Sequence, residues 1–135
     1  MPSLPLQGLR ILLLEDEILI AMDVEQLCRD NGAEDVVTIR DLAQIEPDGL
    51  AGRFDAAIVD LMLGGESTLD FAKRLVEQNL PFVIASGYSF SEEIKSELAG
   101  IAVVEKPYSG TDLVEALAAA CGRSSPLQAA DDPIT

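Results

Sequence analysis

The chain contains no histidine. That single absence removes imidazole acid–base catalysis, Ser-His and Cys-His nucleophile pairs, and most zinc sites. Cysteine is nearly as scarce: Cys28 and Cys121 lie far apart, neither sits in a metal-spaced cluster, and both read as reduced core or near-core residues rather than a redox switch. Cations are few as well. Nine Lys+Arg against 24 Asp+Glu leave a formal charge of -15, which argues against a nucleic-acid or anionic-membrane surface, since each needs a cationic face. No apolar run approaches the roughly 20 residues that span a bilayer, and the first ten residues lack the apolar core of a signal peptide. The expected location is the cytoplasm, without membrane insertion. Chemistry here is left to carboxylates, a lysine, hydroxyls and a hard metal ion.

What is present is a regular alternation. With 135 residues, 48% of them hydrophobic and 24% charged, the chain has room for one domain around a single sizeable core. Apolar runs at 9–14, 36–39, 54–60, 82–85 and 101–104 alternate with amphipathic stretches, the pattern of a parallel sheet covered by helices on both faces. The first helix is expected over 18–31, with Ile20, Val24, Leu27 and Cys28 inward and Gly32 as its stop. A second helix over 41–50 should be short or irregular because of Pro47 and Gly49. After a Gly64-Gly65 turn, a third runs over 68–78 with Leu69, Ala72, Leu75 and Val76 inward. Ser89-Phe90-Ser91-Glu92 has capping-box spacing for a fourth. The last is capped near Ser109-Gly110-Thr111-Asp112, buries Leu113, Leu117, Ala120 and Cys121, and ends at Gly122. The organisation is therefore an N-terminal arm over 1–7, one domain over 8–122, and a polar, flexible tail over 123–135.

Three apolar runs end in polar clusters: Glu15-Asp16, Asp60, and Lys106-Pro107, with Ser86 ending a fourth. In a parallel sheet these strand ends border the ligand crevice, so the residues should converge. The motifs resemble those of response-regulator receiver domains of two-component signalling, over about 8–122. Leu12-Leu13-Leu14-Glu15-Asp16-Glu17 is similar to the family's acidic pair, Val59-Asp60-Leu61-Met62-Leu63 to its phosphoacceptor segment, Ile84-Ala85-Ser86-Gly87-Tyr88 to its switch-hydroxyl segment, and Val104-Glu105-Lys106-Pro107 to its lysine before proline. The resemblance implies a flavodoxin-like (CheY-like) fold, with five parallel strands in the order 2-1-3-4-5 and five flanking helices. It further implies Asp60 as phosphoacceptor. Glu15, Asp16, Asp60 and the Met62 backbone carbonyl would hold Mg²⁺, with Mn²⁺ as a substitute; Lys106 and Ser86 would bind the phosphoryl oxygens.

Those residue types suit phosphoryl transfer onto a carboxylate, where an oxygen nucleophile lies in line and cations offset charge on the equatorial oxygens. Oxygen-rich clusters suit Mg²⁺, which keeps several waters and needs only one or two direct carboxylates. Without metal, three neighbouring carboxylates should repel one another and lower local stability. Read alone, each residue has a plainer role: Glu15-Asp16-Glu17 as an acidic first turn favoured by the helix dipole, Asp60 as a strand-end cap, Ser86 as a turn serine, Lys106 as a surface lysine.

Val103 stands three before Lys106, where many receivers carry an aromatic switch residue, and Gly64-Gly65 replaces the usual proline-containing loop. These features resemble the receiver subgroup with a Phe-Ala-Thr-Gly-x-Tyr motif, often stand-alone and paired with HWE-type histidine kinases. Here Ile84 and Ser86 stand for Phe and Thr, and Tyr88 follows Gly87 directly. Tyr88 and Tyr108 are the switch candidates beside Ser86. The resemblance implies a sensor histidine kinase or phosphotransfer protein as donor and a downstream protein as target. The expectation is a phosphoacceptor signalling protein, or a phosphate shuttle or sink, rather than a turnover enzyme. A haloacid-dehalogenase-like phosphatase would need a second acid at Met62, and an FMN carrier a Ser/Thr/Gly-rich loop where three acids stand. A receiver-fold binding module that works without phosphorylation stays open.

Overall fold

The structure is a computed structural model that describes residues 4–86, 98, 100–105 and 110–123, with the backbone alone at Ser86 and Glu105. The expected fourth helix after Ser89 and the tail beyond Arg123 lie outside the described residues.

In chain order the elements are β1 (Arg10–Leu14), α1 (Ile18–Asp30), β2 (Asp35–Ile39), 3-10 turns at Leu42–Gln44 and Leu50–Gly52, and β3 (Ala56–Asp60). There follow β4 (Met62–Leu63), β5 (Glu66–Ser67), α2 (Leu69–Glu77), β6 (Phe82–Ser86), β7 (Val103–Glu105) and α3 (Gly110–Ala120). The main sheet runs β2-β1-β3-β6-β7 and every pairing in it is parallel. Setting aside the separate β4–β5 hairpin, that is the expected order 2-1-3-4-5. β3, all of it buried, and β1, buried from Ile11 onward, lie side by side at the centre. Strands covered on both faces read as continuous apolar runs, which is why these two stood out in the sequence.

Alternation along the strands divides the interior into two layers. Ile11, Leu13 and Ile58 pack with Val24 and Cys28 of α1 and Leu113 and Leu117 of α3. Leu12, Leu14 and Val59 pack on the opposite side with Phe71, Ala72 and Leu75 of α2. The buried stripe of α1 is Ala21, Val24 and Cys28, with Ile20 and Leu27 half-buried beside it. In α2, Phe71 takes the inward place expected for Val76, which is 47% exposed. In α3 the stripe is Leu113, Val114, Leu117 and Ala118, and Ala120 is exposed. Both corrections have one cause: adjacent pairs one turn apart define a helical stripe, and the outlying apolar residue falls off it.

The second helical region is irregular, as Pro47 and Gly49 foretold. Asp41 and Gln44 form a capping box, yet only a 3-10 turn follows, because the residue before a proline avoids the helical region and Glu46 precedes Pro47. Gln78, just past α2, holds the segment instead. Its Oε1 accepts from Leu50 N at 2.7 Å and Ala51 N at 3.3 Å, and its Nε2 donates to the Pro47 carbonyl. Arg74 pairs with Asp48 alongside.

The N-terminal arm is part of the packing. Leu6 is fully buried, Leu6 N donates to Asn31 O at 2.9 Å, and Gly8 N donates to Gly32 O at 2.9 Å. Gly32 has φ +101°, and a Cβ there would stand 2.9 Å from Gln7 Cα and Leu4 Cβ, so both conformation and space call for glycine. Arg123 donates to the Gln7 carbonyl at 2.9 Å.

Arg10 opens β1 by donating from its backbone N at 2.8 Å and from Nε at 3.1 Å to Asp55 Oδ2. The side-chain hydrogen bond from Arg10, followed by the backbone one, holds the Asp55 carboxyl below its ordinary value of 3.8. A carboxyl with a depressed folded-state pKa contributes stability above its unfolded pKa and loses it as pH falls through the folded value. Asp55→Asn should therefore destabilise at neutral pH, and its melting-temperature gap to wild type should close as pH drops below about 3.8. A gap that stays constant across that window would show that the charge is not what matters.

Candidate metal and phosphoacceptor site

The site forms where β1 and β3 stop. Paired in register, Leu14 with Val59, the two strands deliver Glu15-Asp16 and Asp60 to the same edge of the sheet. One carboxylate oxygen from each of Glu15, Asp16 and Asp60 lies within 4.8 Å of the other two. Glu15 and Asp60 are buried, and Asp16 is half-buried. Each is also anchored. Glu15 N donates to Ile39 O at 3.1 Å, and Glu15 Oε2 accepts from Glu17 N at 3.1 Å. Asp60 Oδ1 accepts from Met62 N at 3.3 Å. Asp16 Oδ2 accepts from Gly64 N at 3.0 Å.

The Gly64 contact depends on the hairpin. Leu63 pairs with Glu66 across Gly64-Gly65, whose φ values of 59° and 84° fit the two-residue turn that requires left-handed backbone at both central positions. The Gly-Gly pair was legible as a turn; that its amide reaches Asp16 was not.

Thr68 is the other residue that sequence reading passed over, having appeared only as the start of a helix. It is fully buried before α2 and makes no side-chain cap. Its Oγ1 donates instead to Asp60 O at 2.7 Å, with Leu61 O at 3.1 Å, while Thr68 N donates to Leu61 O at 2.9 Å. Ser67 Oγ supplies a local cap in its place, accepting from Leu69 N at 3.2 Å. A Ser-Thr pair before an amphipathic run signals a helix start, and nothing in that pattern tells which residue caps.

The acidic group fits a small hard cation. Three carboxylate oxygen donors, converging within 4.8 Å, need only modest contraction to enter one octahedral shell, and the remaining positions go to water and backbone oxygen. Of the other expected site residues, Ser86 follows Ala85 on β6, where Ala85 pairs with Asp60 and Ser86 with Glu105. Its side chain, Lys106, Tyr88 and Tyr108 lie outside the described residues. Val103, which stands where an aromatic is common, is 38% exposed on the edge strand β7.

The cysteines take no part. Both thiols are free, and burial pushes Cys28 up to about 12 and raises Cys121 as well, which keeps them protonated and unreactive. No helix among the described residues is long and apolar enough to cross a membrane.

No family model matches the chain. Among curated proteins it is 25% identical over 128 residues to the transcriptional regulatory protein PdtaR of Mycobacterium tuberculosis, covering 93% of this chain and 62% of that one. The chain thus spans less than two thirds of that relative. Among solved structures it is similar to the signal receiver domain of a modulated diguanylate cyclase from Desulfovibrio desulfuricans, with TM-score 0.73 and 22% identity over 86% of this chain and 95% of that one. A response regulator receiver protein from Sinorhizobium medicae gives TM-score 0.72 and 22% identity over 87% and 97%. The non-phosphorylated HemR receiver domain of Leptospira biflexa gives 0.69 and 21% over 87% and 97%. The chain has the fold of response-regulator receiver domains, the parallel five-stranded architecture that the resemblance implied.

Proposed function

We propose that the protein accepts a phosphoryl group on Asp60 from a histidine kinase, HWE-type in the subgroup it resembles, or from a phosphotransfer protein. The observation that carries the reading is the convergence of Glu15, Asp16 and Asp60 within 4.8 Å at the ends of two adjacent central strands. In the transfer, an Asp60 carboxylate oxygen forms the new P–O bond as the P–N bond to the donor's imidazole breaks and the electron pair leaves with the ring nitrogen. A bound Mg²⁺ would neutralise charge on the phosphoryl oxygens. Glu15 and Asp16 would hold that cation, with Asp60 and the Met62 carbonyl completing the protein's share. Lys106 and the Ser86 hydroxyl bind the other phosphoryl oxygens once the group has arrived, and Tyr88 and Tyr108 are the neighbouring candidates for relaying the change.

The protein acts as a cytoplasmic phosphoacceptor, not a turnover enzyme. Its signal passes through phosphorylation-dependent contacts with a downstream protein, or its phosphoryl group moves on as in a shuttle or sink. A formal charge of -15 supports protein rather than nucleic-acid partners.

Amide NMR with Mg²⁺, before and after beryllofluoride, tests the reading. Wild type should show shifts around Asp60, Ser86 and Lys106, and Asp60→Ala none. A folded wild type whose spectrum does not respond would abandon phosphorylation in favour of a binding module that uses the same fold.

A further inference from the structure

We propose that Thr68 is a positioning residue for Asp60, its buried hydroxyl fixing the backbone at the end of β3 so that the carboxylate faces the incoming phosphoryl group. The inference rests on the phosphoacceptor reading and adds a residue to it.

Thr68 stands at the N-cap of α2, where a threonine ordinarily accepts a hydrogen bond from the first turn. It makes no such bond. Its single hydroxyl proton goes to the end of β3, with Asp60 O at 2.7 Å and Leu61 O at 3.1 Å. The residue is 0% exposed, so no water competes for that proton, and a buried hydroxyl is worth most where it is fully bonded. On the other side, Leu61 N donates to Ala85 O at 2.9 Å. The peptide after Asp60 is thus gripped by β6 through its N–H and by Thr68 at its carbonyl. Thr68 O also accepts from Ala72 N at 2.9 Å, which carries the grip into the first turn of α2. Only three carbons, Cα, Cβ and Cγ, separate the gripped carbonyl from the nucleophilic oxygens, so a shift of that carbonyl is carried over to the carboxylate. In-line attack is sensitive to such a shift, since a displacement of about 1 Å costs up to about 100-fold in rate.

The test measures phosphoryl incorporation from acetyl phosphate with Mg²⁺ by intact mass, in wild type, Thr68→Val and Thr68→Ser. Here the acyl P–O bond breaks, acetate leaves with its electron pair, and the new P–O bond forms to the Asp60 carboxylate. Thr68→Val should lower the saturating rate about tenfold with an unchanged half-saturating Mg²⁺ concentration, and Thr68→Ser should restore it. A folded Thr68→Val protein that is less stable but labels at the wild-type rate makes Thr68 merely structural and overturns the proposal. So does a Thr68→Ser protein as slow as the valine variant. If Thr68→Val does not fold, the Thr68 hydroxyl proton of wild type decides: buried and bonded, it should exchange slowly enough to be seen and should shift when beryllofluoride binds, and an unmoved or absent resonance overturns the proposal. If wild type itself takes no label, the phosphoacceptor reading falls and this inference with it; a labelled wild type beside an equally fast Thr68→Val removes the inference alone.

Discussion

Chelating divalent ions should reverse the stability order of wild type and Asp16→Asn. Without metal, three carboxylates within 4.8 Å of one another repel. At an effective dielectric of about 20, each like-charged pair at that distance costs about 3 kcal/mol. Solvent around the half-buried Asp16 reduces this, and we expect Asp16→Asn to gain on the order of 1–2 kcal/mol in EDTA. The substitution keeps an amide oxygen that can accept from Gly64 N, so the hairpin contact survives. With Mg²⁺ the sign changes. A ligand present at 100 times its dissociation constant stabilises the folded state by about 2.7 kcal/mol, and the asparagine variant, a charge short, should lose most of that through about hundredfold weaker binding, which leaves it about 0.4 kcal/mol. Thermal melts of both proteins in EDTA and in saturating Mg²⁺ give the four numbers required. If Asp16→Asn is the less stable protein in EDTA, repulsion is not the dominant force in the acidic group.

Ile58→Ala should cost about 3–4 kcal/mol. Ile58 is fully buried in the middle of β3, in register with Leu13 on one side and Val83 on the other. Loss of its branched side chain combines lost transfer energy with a cavity between neighbours held by their own strands, so collapse into the gap is limited. For a chain of this size the melting temperature should fall by roughly 10–15 °C. Urea unfolding would give a reduced midpoint with an unchanged slope. A loss under about 1 kcal/mol would mean that the layer beneath α1 and α3 repacks freely, contrary to the packing density of such interiors.

The sheet was legible because a strand covered on both faces leaves a continuous apolar run, and β1 and β3 leave the clearest ones. Glu15, Asp16 and Asp60 were legible because parallel topology sends the residues after such runs to one edge. What escaped were contacts that depend on three-dimensional proximity alone. Nothing in the sequence says that Gly64 N meets Asp16 across 48 positions, or that Thr68 turns its hydroxyl toward Asp60 rather than its own helix. The inward faces of α2 and α3 were off by part of a turn, since Val76 and Ala120 are apolar yet exposed, and apolar identity alone does not fix the centre of a stripe. The irregularity of the helix expected over 41–50 was legible in Pro47 and Gly49. The segment's tether, Gln78, lies some thirty positions onward from Pro47 and carries no sequence signal for that role.

The alternation along β3 has a consequence for how the molecule can change. Ala56 and Ile58 belong to one layer and Ala57 and Val59 to the other, so the protein has two interiors and one shared wall, with Asp60 as the wall's last residue. Among the described residues the buried side chains of the two layers fall into separate clusters, so well-separated substitutions on opposite sides should add in their effects on stability. Each still presses on the same five-residue strand. Lineages of this fold can therefore redesign either interior independently, while the reactive carboxylate inherits the changes of both.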